Sequence, residues 1–490
     1  MKVRTRFAPS PTGYMHIGNL RTALYAWLFA KKNKGDFILR IEDTDRNRLV
    51  DNACEIIYNT LRDTGLSYSE GPDVGGNYGP YIQSERKSIY GKYAKILVEK
   101  GAAYYCFCTK ERLDALREEA AKEGKVFKYD KHCLKLSKEE VQAKLDAGEE
   151  YVIRQNIPLE GESSYFDNVY GEITVPMSDM EDNILLKSDG WPTYNMANVI
   201  DDHLMEITHV IRGIEYLSST PKYNLLYDAL GWERPSYVHL PPVMKDKTKK
   251  LSKRNGDASY EDLINKGYLK EAIINYIALL GWNPGGEREI FSLEELAEVF
   301  SLEGLSKSSA IFDIEKLTWM NGEYIRALSK EDFIARASRF TDWGTDDPTK
   351  IEKIAGLIQP RIETLTQIDE KIAFLREMAA FDAELYTNKK NKTTPENSIP
   401  LIESAIEALS DIPEEGFVND NLYQALIEVA EKNEVKNGKV LWPVRIAITG
   451  LSVTPGGATE IAELLGKEET LKRLAASLGE LKGFVPEDRE

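Results

Sequence analysis

Cysteine is scarce in this chain, four among 490 residues. So few thiols exclude a disulfide-stapled scaffold and suit a reducing compartment, and a cytoplasmic protein is expected. Long apolar runs are missing as well. No stretch of about 18 apolar residues occurs, which excludes a membrane-spanning helix. The N-terminus enters a polar strand directly, so no signal peptide is expected. Positive charge is in deficit: 63 Lys and Arg stand against 80 Asp and Glu, a net charge of −17. Phosphate contacts need Lys and Arg, so the balance argues mildly against a nucleic-acid partner. Net charge does not report local charge, however, and an acidic surface limits non-specific RNA binding. What remains is 42% hydrophobic and 29% charged, the make-up of a globular protein long enough for three to four domains.

The chain is organised around the stretch from Arg4 to Leu24, which reads as a strand, a sharp turn and a helix. Pro9 and Pro11 stop the strand and disfavour helix before them. Thr12 or Gly13 is expected to open the helix, and Leu20, Leu24, Trp27 and Leu28 give it one buried face. The turn lies at a strand C-terminus and a helix N-terminus. Ligands bind there in an open parallel sheet, and the free N–H groups and helix dipole favour phosphate. His16 and Asn19, three apart, can point the same way, and Gly18 lets a ligand approach the backbone. Taken alone, the stretch is equally an ordinary strand-turn-helix with one surface His.

A second stretch carries the missing positive charge. Six basic residues fall between Met244 and Asn255, just before Gly256. They form either a solvated basic loop or a mobile loop that brings Lys250 and Lys253 onto a triphosphate, stabilising charge as pyrophosphate leaves.

Other residues add chemistry. Phe37 to Ile41 is an apolar strand that ends at Glu42, Asp43 and Asp45, so carboxylates reach a ligand crevice unless they only cap a helix. Tyr194 and Asn198 are four apart and share a face if helical. His209 to Gly213 reads as a strand ending in Arg212, which can grip a carboxylate through two parallel bonds or form a structural salt bridge. Cys106, Cys108 and Cys133 fall within 28 residues. With Tyr129 or His132 as a fourth ligand they suit tetrahedral zinc; without one they are three reduced thiols.

His16-Ile-Gly-Asn19 and Lys250-Leu-Ser-Lys-Arg254 together resemble the paired signatures of class I aminoacyl-tRNA synthetases, with Asn19 where many members have a second His. Four further words are similar to the bacterial glutamyl-tRNA synthetases: Arg6 to Gly13, Leu39 to Asp45, Trp191 to Tyr194 and Thr208 to Gly213. The resemblance runs over nearly the whole chain. It implies an α/β, Rossmann-type nucleotide-binding catalytic domain with an acceptor-binding insertion, followed by all-α stem-contact and anticodon-binding domains. The corresponding segments are 1–105 and 191–255 for the catalytic halves, 106–190 for the insertion, 256–329 for the stem-contact region and 330–490 for the anticodon-binding region.

The activity implied is ATP-dependent joining of L-glutamate to tRNA(Glu), through glutamyl-adenylate, by a monomer. Mg²⁺ is expected with ATP. By resemblance, His16, Asn19, Lys250 and Lys253 carry the catalysis. ATP binding falls to His16, Gly18, Asn19, Glu215, Lys250, Leu251, Ser252, Lys253 and Arg254. The glutamate pocket takes Arg6, Ser10, Glu42, Tyr194, Asn198 and Arg212. Glutaminyl enzymes lack an Arg matching Arg212, and a buried guanidinium facing an amide costs about 3–5 kcal/mol. Most relatives have an acidic residue where Ile214 stands; Glu215 matches the second acid and is expected to keep the ATP contact. Some relatives bind zinc through two Cys, a Tyr and a Cys, which points to Tyr129; others use a His at the position of Lys135. Two alternatives stay open: an enzyme that also charges tRNA(Gln), and a non-catalytic RNA-binding paralogue. Retention of His16, Lys250, Lys253 and Arg212 weighs against the paralogue.

Overall fold

The computed structural model describes residues 2–45, 50, 52–125, 127–251 and 259–485. They fall into two compact units, Met1–Ile264 with Lys270–Ile314, and Asn265–Leu269 with Glu315–Glu490.

The first unit begins with β1 (Arg4–Phe7), α1 (Ile17–Lys32) and β2 (Asp36–Leu39), then α2 (Ala53–Asp63) and α3 (Lys87–Glu99). β3 (Ala103–Cys106), the polar helices α4 (Lys110–Lys122) and α5 (Lys138–Asp146), and β4 (Val152–Gln155) follow. A hairpin of β5 (Glu162–Asp167) and β6 (Gly171–Pro176) leads through β7 (Ile184–Leu186) to α6 (Tyr194–Leu204). After β8 (His209–Gly213), α7 (Thr220–Leu230), β9 (Ser236–Leu240) and β10 (Val243–Met244), the chain turns helical. The remaining elements are α8 (Tyr260–Asn265), α9 (Lys270–Leu279), α10 (Leu293–Val299) and the short β11 (Ala310–Ile311).

β1 and β2 pair in parallel, Arg4 opposite Asp36 and Phe7 opposite Leu39. β8 and β9 also run parallel, with Arg212 opposite His239, in a sheet of order β6-β5-β9-β8. Thr208 N donates to Arg4 O at 3.0 Å, and the Arg6 guanidinium reaches Ile211 O at 3.3 Å. β1 and β8 therefore run the same way, and the carboxyl ends of β1, β2, β8 and β9 open on one side. That edge is where a parallel sheet presents its ligand crevice. β3, β4 and β7 make a separate antiparallel sheet beside the two polar helices. Ser137 caps α5 with the reciprocal bonds expected of its sequence: Glu140 N donates to Ser137 Oγ at 3.1 Å and Ser137 N to Glu140 Oε2 at 2.7 Å.

Helix α1 departs from its sequence reading in two ways. It starts at Ile17, not at Thr12 or Gly13. Gly13 sits at φ 111°, a turn conformation open to glycine, and His16 is still extended at φ −71°, ψ 143°. Its imidazole takes the Gly18 N–H and so serves as the N-cap. Nor does α1 bury a single face. Ile17, Ala23, Tyr25 and Ala26 are buried along with Leu20, Leu24, Trp27 and Leu28, because α9 and α10 cover the side the sheet leaves. Tyr25 Oη donates to Ala278 O at 3.0 Å on that far side.

The second unit is helical: α11 (Ile314–Ala327), α12 (Lys330–Ala337), α13 (Pro348–Ile358), α14 (Ile368–Arg376), α15 (Pro395–Ser410), α16 (Asn419–Lys432), α17 (Asn437–Thr449), α18 (Ala458–Leu465) and α19 (Lys467–Phe484). Apolar positions such as Leu401, Leu409, Leu426, Val444, Ile461 and Leu474 meet in one core. The pattern from Ile351 to Leu365 reads as one helix, but α13 ends at Ile358 because Pro360 offers no N–H to continue it.

Candidate active site

The turn before α1 pairs through the backbone with the chain just past the basic loop. Ser259 bridges His16 in antiparallel fashion, and Tyr260 N donates to Met15 O at 3.3 Å. On the other side Leu251 N donates to Val243 O at 3.1 Å, and Lys250 bridges Met244. Within the loop Asp246 Oδ1 accepts Thr248 N at 2.8 Å and Lys249 N at 2.9 Å, a tight turn that leaves Lys250 on the surface. Ser252, Lys253 and Arg254 lie outside the described residues. At the helix, Gly18 N–H donates to His16 Nδ1 at 3.0 Å. A neutral His16 ring therefore carries its proton on Nε2. Asn19 is exposed one turn along.

Next to this turn lies a buried ionic cluster. Arg40 is fully buried. It donates to Asp202 Oδ1 at 2.8 Å and to Glu42 Oε1 at 3.0 Å. Arg6 joins Asp202 at 3.1 and 3.3 Å. Asp201 takes Arg86 at 2.7 Å, with Gln83 and Tyr90 at 2.8 Å each. Three guanidiniums thus meet three carboxylates, a balance that buried charge requires. Burial pushes the Glu42 carboxyl above its usual range although Arg40 and Arg6 pull the other way. Asp202, buried to a similar degree, is held below its usual range by Arg6 and Arg40. Glu42 N donates to Pro9 O at 3.0 Å, which ties this carboxylate to the turn.

Across the crevice Arg212 is 5% exposed, and no carboxylate forms an ion pair with it among the described residues. Its partners are neutral: Nε donates to His239 Nε2 at 3.1 Å and Nη2 to Thr220 Oγ1 at 2.7 Å. The rings of Tyr216, Tyr223 and Tyr237 surround it at 5.0, 5.1 and 5.6 Å. Tyr194 stacks on Tyr216 at 4.8 Å and lies within the field of Arg212, Glu42 and Arg6. Asn198 Nδ2 donates to Tyr194 O at 2.5 Å, four residues back on α6. The strand carrying Arg212 ends at Gly213 and continues into a short 3₁₀ turn, Ile214–Tyr216. Glu215 is exposed there and folds its carboxylate back over Gly213.

The three clustered cysteines come together in space, their Sγ atoms all within 4.8 Å. Cys108 and Cys133 Sγ are 3.6 Å apart, too far for a disulfide. Tyr129 Oη lies 3.4 Å from Cys106 Sγ and 3.2 Å from Cys108 Sγ. Tetrahedral bonds of about 2.3 Å place neighbouring ligands roughly 3.8 Å apart, so three sulfurs and one phenol oxygen fit a single zinc ion. Donors surround the sulfurs: Arg154 Nε reaches Cys106 at 3.3 Å, Phe107 N reaches Cys133 at 3.3 Å and Arg112 reaches Cys108 at 3.4 Å. Such donors suit thiolate ligands. Cys106 is drawn down to about 4, chiefly by its hydrogen bond with Cys133, with Tyr129, Cys108 N and Arg154 adding to it against burial. His132, the other candidate ligand, is exposed and stands outside the cluster.

In the second unit a cleft of about 400 Å³ is lined by Tyr423, Leu441, Trp442, Arg445 and Thr459. Arg445 lies over the Trp442 ring at 4.6 Å, and Tyr423 is 42% exposed. An open aromatic and a guanidinium plane are what unstacked bases pack against.

Of the residues singled out in the sequence, Arg6, Glu42 and Arg212 all lie within the field of Tyr194, and Asn198 is hydrogen-bonded to Tyr194. His16, Gly18 and Asn19 lie at the α1 N-terminus. Ser10 is exposed on the turn, its carbonyl taking Thr12 N at 2.9 Å, and no side-chain bond joins it to the group. The sequence reading passed over Arg40, Asp202, Asp167 and His239. The adjacent acids Asp201 and Asp202 within one helix, and a His within the apolar run Tyr237 to Leu240, were the available signals.

Two family models match the chain. One described as "tRNA synthetases class I (E and Q), catalytic domain" covers residues 2–319, and one described as "Anticodon binding domain" covers residues 332–478. A protein of Clostridium botulinum named glutamate–tRNA ligase is 57% identical over 483 residues, 99% of each chain. One of the same name from Clostridium tetani is 56% identical over 484 residues, again 99% of each. Among solved structures, a glutamate tRNA ligase of Elizabethkingia meningosepticum in complex with its amino acid superposes with a TM-score of 0.91 at 36% identity, over 98% of this chain and 100% of that one.

Proposed function

The chain belongs to the class I tRNA synthetases for glutamate and glutamine, and from that premise we propose that it is a glutamate–tRNA ligase. It activates L-glutamate with ATP and passes the glutamyl group to the 3′ end of tRNA. The observation that carries the choice of glutamate is Arg212, a buried guanidinium with no carboxylate ion-paired to it among the described residues. A substrate side-chain carboxylate would complete it through paired N–H···O bonds. The neutral amide of glutamine would leave the charge buried and unpaired.

In the first step the α-carboxylate of glutamate attacks the α-phosphate of ATP and pyrophosphate leaves. Charge builds on the phosphates, so the enzyme contributes positioning and electrostatics. His16, with its proton on Nε2, and Asn19 donate to phosphate oxygens at the positive end of α1. Lys250 and Lys253 stabilise the charge that develops on the phosphates. Glu215, in the turn just past β8, keeps the ATP contact. Mg²⁺ bound with ATP would add positive charge at the phosphates. Glu42 takes the amino group of glutamate, and Arg6, Tyr194 and Asn198 shape the pocket beside it. In the second step the terminal 2′-hydroxyl of tRNA displaces AMP, with no covalent enzyme intermediate.

The same reading assigns the segment 106–190 to the acceptor end of tRNA(Glu), with 256–329 along its stem. Residues 330–490 take the anticodon, its bases stacking in the cleft at Tyr423, Trp442 and Arg445. Cys106, Cys108, Tyr129 and Cys133 would hold a zinc ion, which would tie α4 and the 129–133 segment to β3. The working form is a monomer.

Charging of a tRNA(Glu) transcript with labelled glutamate and ATP tests this reading. Incorporation on that transcript supports it. Incorporation on a tRNA(Gln) transcript as well would make the enzyme the first half of an indirect route to glutaminyl-tRNA. No charging of either by folded protein would overturn it.

A further inference from the structure

Arg212 is held by a relay that crosses three strands. His239 stands opposite it on β9 and is fully buried. His239 Nε2 accepts the Arg212 Nε–H at 3.1 Å. A guanidinium cannot accept, so Nε2 must offer a lone pair, and the ring proton sits on Nδ1. That proton goes to Asp167 Oδ2 at 2.7 Å. Asp167, also fully buried at the end of β5, is fixed in turn by backbone donors. Val169 N and Tyr170 N each reach its Oδ1 at 2.9 Å, and His239 N reaches its Oδ2 at 3.2 Å.

We propose that His239 and Asp167 are positioning residues for glutamate selection, which hold Arg212 in place without neutralising it. The proposal rests on the reading of Arg212 as the group that takes the side-chain carboxylate. An acid placed directly on Arg212 would also fix its orientation, but it would compete with the substrate for the guanidinium. Here the fixing acid stands one imidazole away. The His ring passes on orientation, and the positive charge of Arg212 stays available. Thr220 works to the same end: its hydroxyl takes the Nη2–H at 2.7 Å and gives its own proton to Tyr216 O at 2.8 Å. The Nε–Nη2 edge of the guanidinium is thereby occupied by neutral acceptors. The outer Nη1–Nη2 end is the edge that can form two parallel bonds to a carboxylate.

The relay depends on one tautomer. Burial keeps the His239 ring below its usual pKa, with Arg212 adding to that effect and Asp167 opposing it, so the ring remains a neutral acceptor. A ring protonated on Nε2 would turn a donor toward the Arg212 Nε–H and push the guanidinium aside. Asp167 prevents this by accepting only at Nδ1.

The test is steady-state charging of tRNA(Glu) by the full-length enzyme, with KM for glutamate, KM for ATP and kcat measured separately. His239→Asn retains a short polar group toward Asp167 but takes the acceptor away from Arg212. His239→Gln can restore an acceptor near the Nε2 position. Asp167→Asn keeps the shape and releases the tautomer. The Asn variants at both positions are expected to raise the glutamate KM by about tenfold or more, with kcat and the ATP KM within about threefold, and His239→Gln is expected to recover most of the loss. An unchanged glutamate KM in both Asn variants overturns the proposal. So does a joint loss in glutamate KM, ATP KM and kcat without recovery in the Gln variant, which marks a purely structural role. If His239→Asn melts early, the isosteric Asp167→Asn carries the same decision. Arg212→Ala, run alongside, separates the two levels. A wild-type glutamate KM in that variant overturns the underlying reading, whereas loss there and none in the His239 and Asp167 variants overturns only the relay.

Discussion

Ser259 pairs with His16, backbone to backbone, so the chain leaving the basic loop is fastened to the turn that opens α1. The entering side is fastened by Leu251 to Val243. In sequence, Lys253 stands between these two anchors. A lysine that closes on phosphates only as pyrophosphate leaves should act on the rate. Lys253→Ala is expected to lower kcat by about a hundredfold or more while the glutamate KM changes far less. Equal loss in both parameters would contradict a role confined to the transition state.

Arg40 bridges Glu42 and Asp202 in the interior, and removing it leaves two buried carboxylates short of a partner. Arg40→Met keeps much of the volume and is expected to destabilise the first unit by about 3–5 kcal/mol. The urea midpoint followed by tryptophan fluorescence measures this. A midpoint equal to wild type would show that water or a rearranged Arg6 takes over the charge.

The sulfur cluster predicts a metal stoichiometry of about one zinc per chain, read by elemental mass spectrometry. Cys133→Ser is expected to lose the metal and to lower the temperature of thermal unfolding. Tyr129→Phe keeps three thiolates and is expected to weaken retention against a chelator. Metal-free protein whose melting ignores chelator would mean three reduced thiols and no site.

In the helical unit, Trp442 and Tyr423 offer the stacking surfaces of the cleft. Stacking is worth about 1–3 kcal/mol per base, so Trp442→Ala is expected to raise the KM for tRNA by about tenfold. The KM for glutamate and ATP should stay put. A tRNA KM unchanged in the double variant with Tyr423→Ala would remove the cleft from anticodon binding.

Local signals were legible because each rests on residues close in sequence. The strand that carries Arg212, the helix that aligns Tyr194 with Asn198 and the Ser137 cap are all set by neighbours within about four positions. The helix start was misjudged because His16 itself supplies the cap, a role usually taken by Ser, Thr, Asp or Asn. The pairings that give Arg212 and Glu42 their surroundings were not legible. His239 meets Asp167 across 72 residues and Arg40 meets Asp202 across 162. Such partners are chosen by sheet order and packing, which no short window encodes. The cleft at Trp442 likewise draws on α16, α17 and α18.

The central claim is that Arg212 selects a carboxylate side chain. The most direct measurement is the glutamate KM of wild type and Arg212→Ala in tRNA(Glu) charging, with glutamine tested as a substrate of each. The account predicts that the variant raises the glutamate KM by about a hundredfold or more, with a far smaller change for ATP, and that wild type does not charge glutamine. A variant with the wild-type glutamate KM, or a wild type that accepts glutamine equally well, would contradict it.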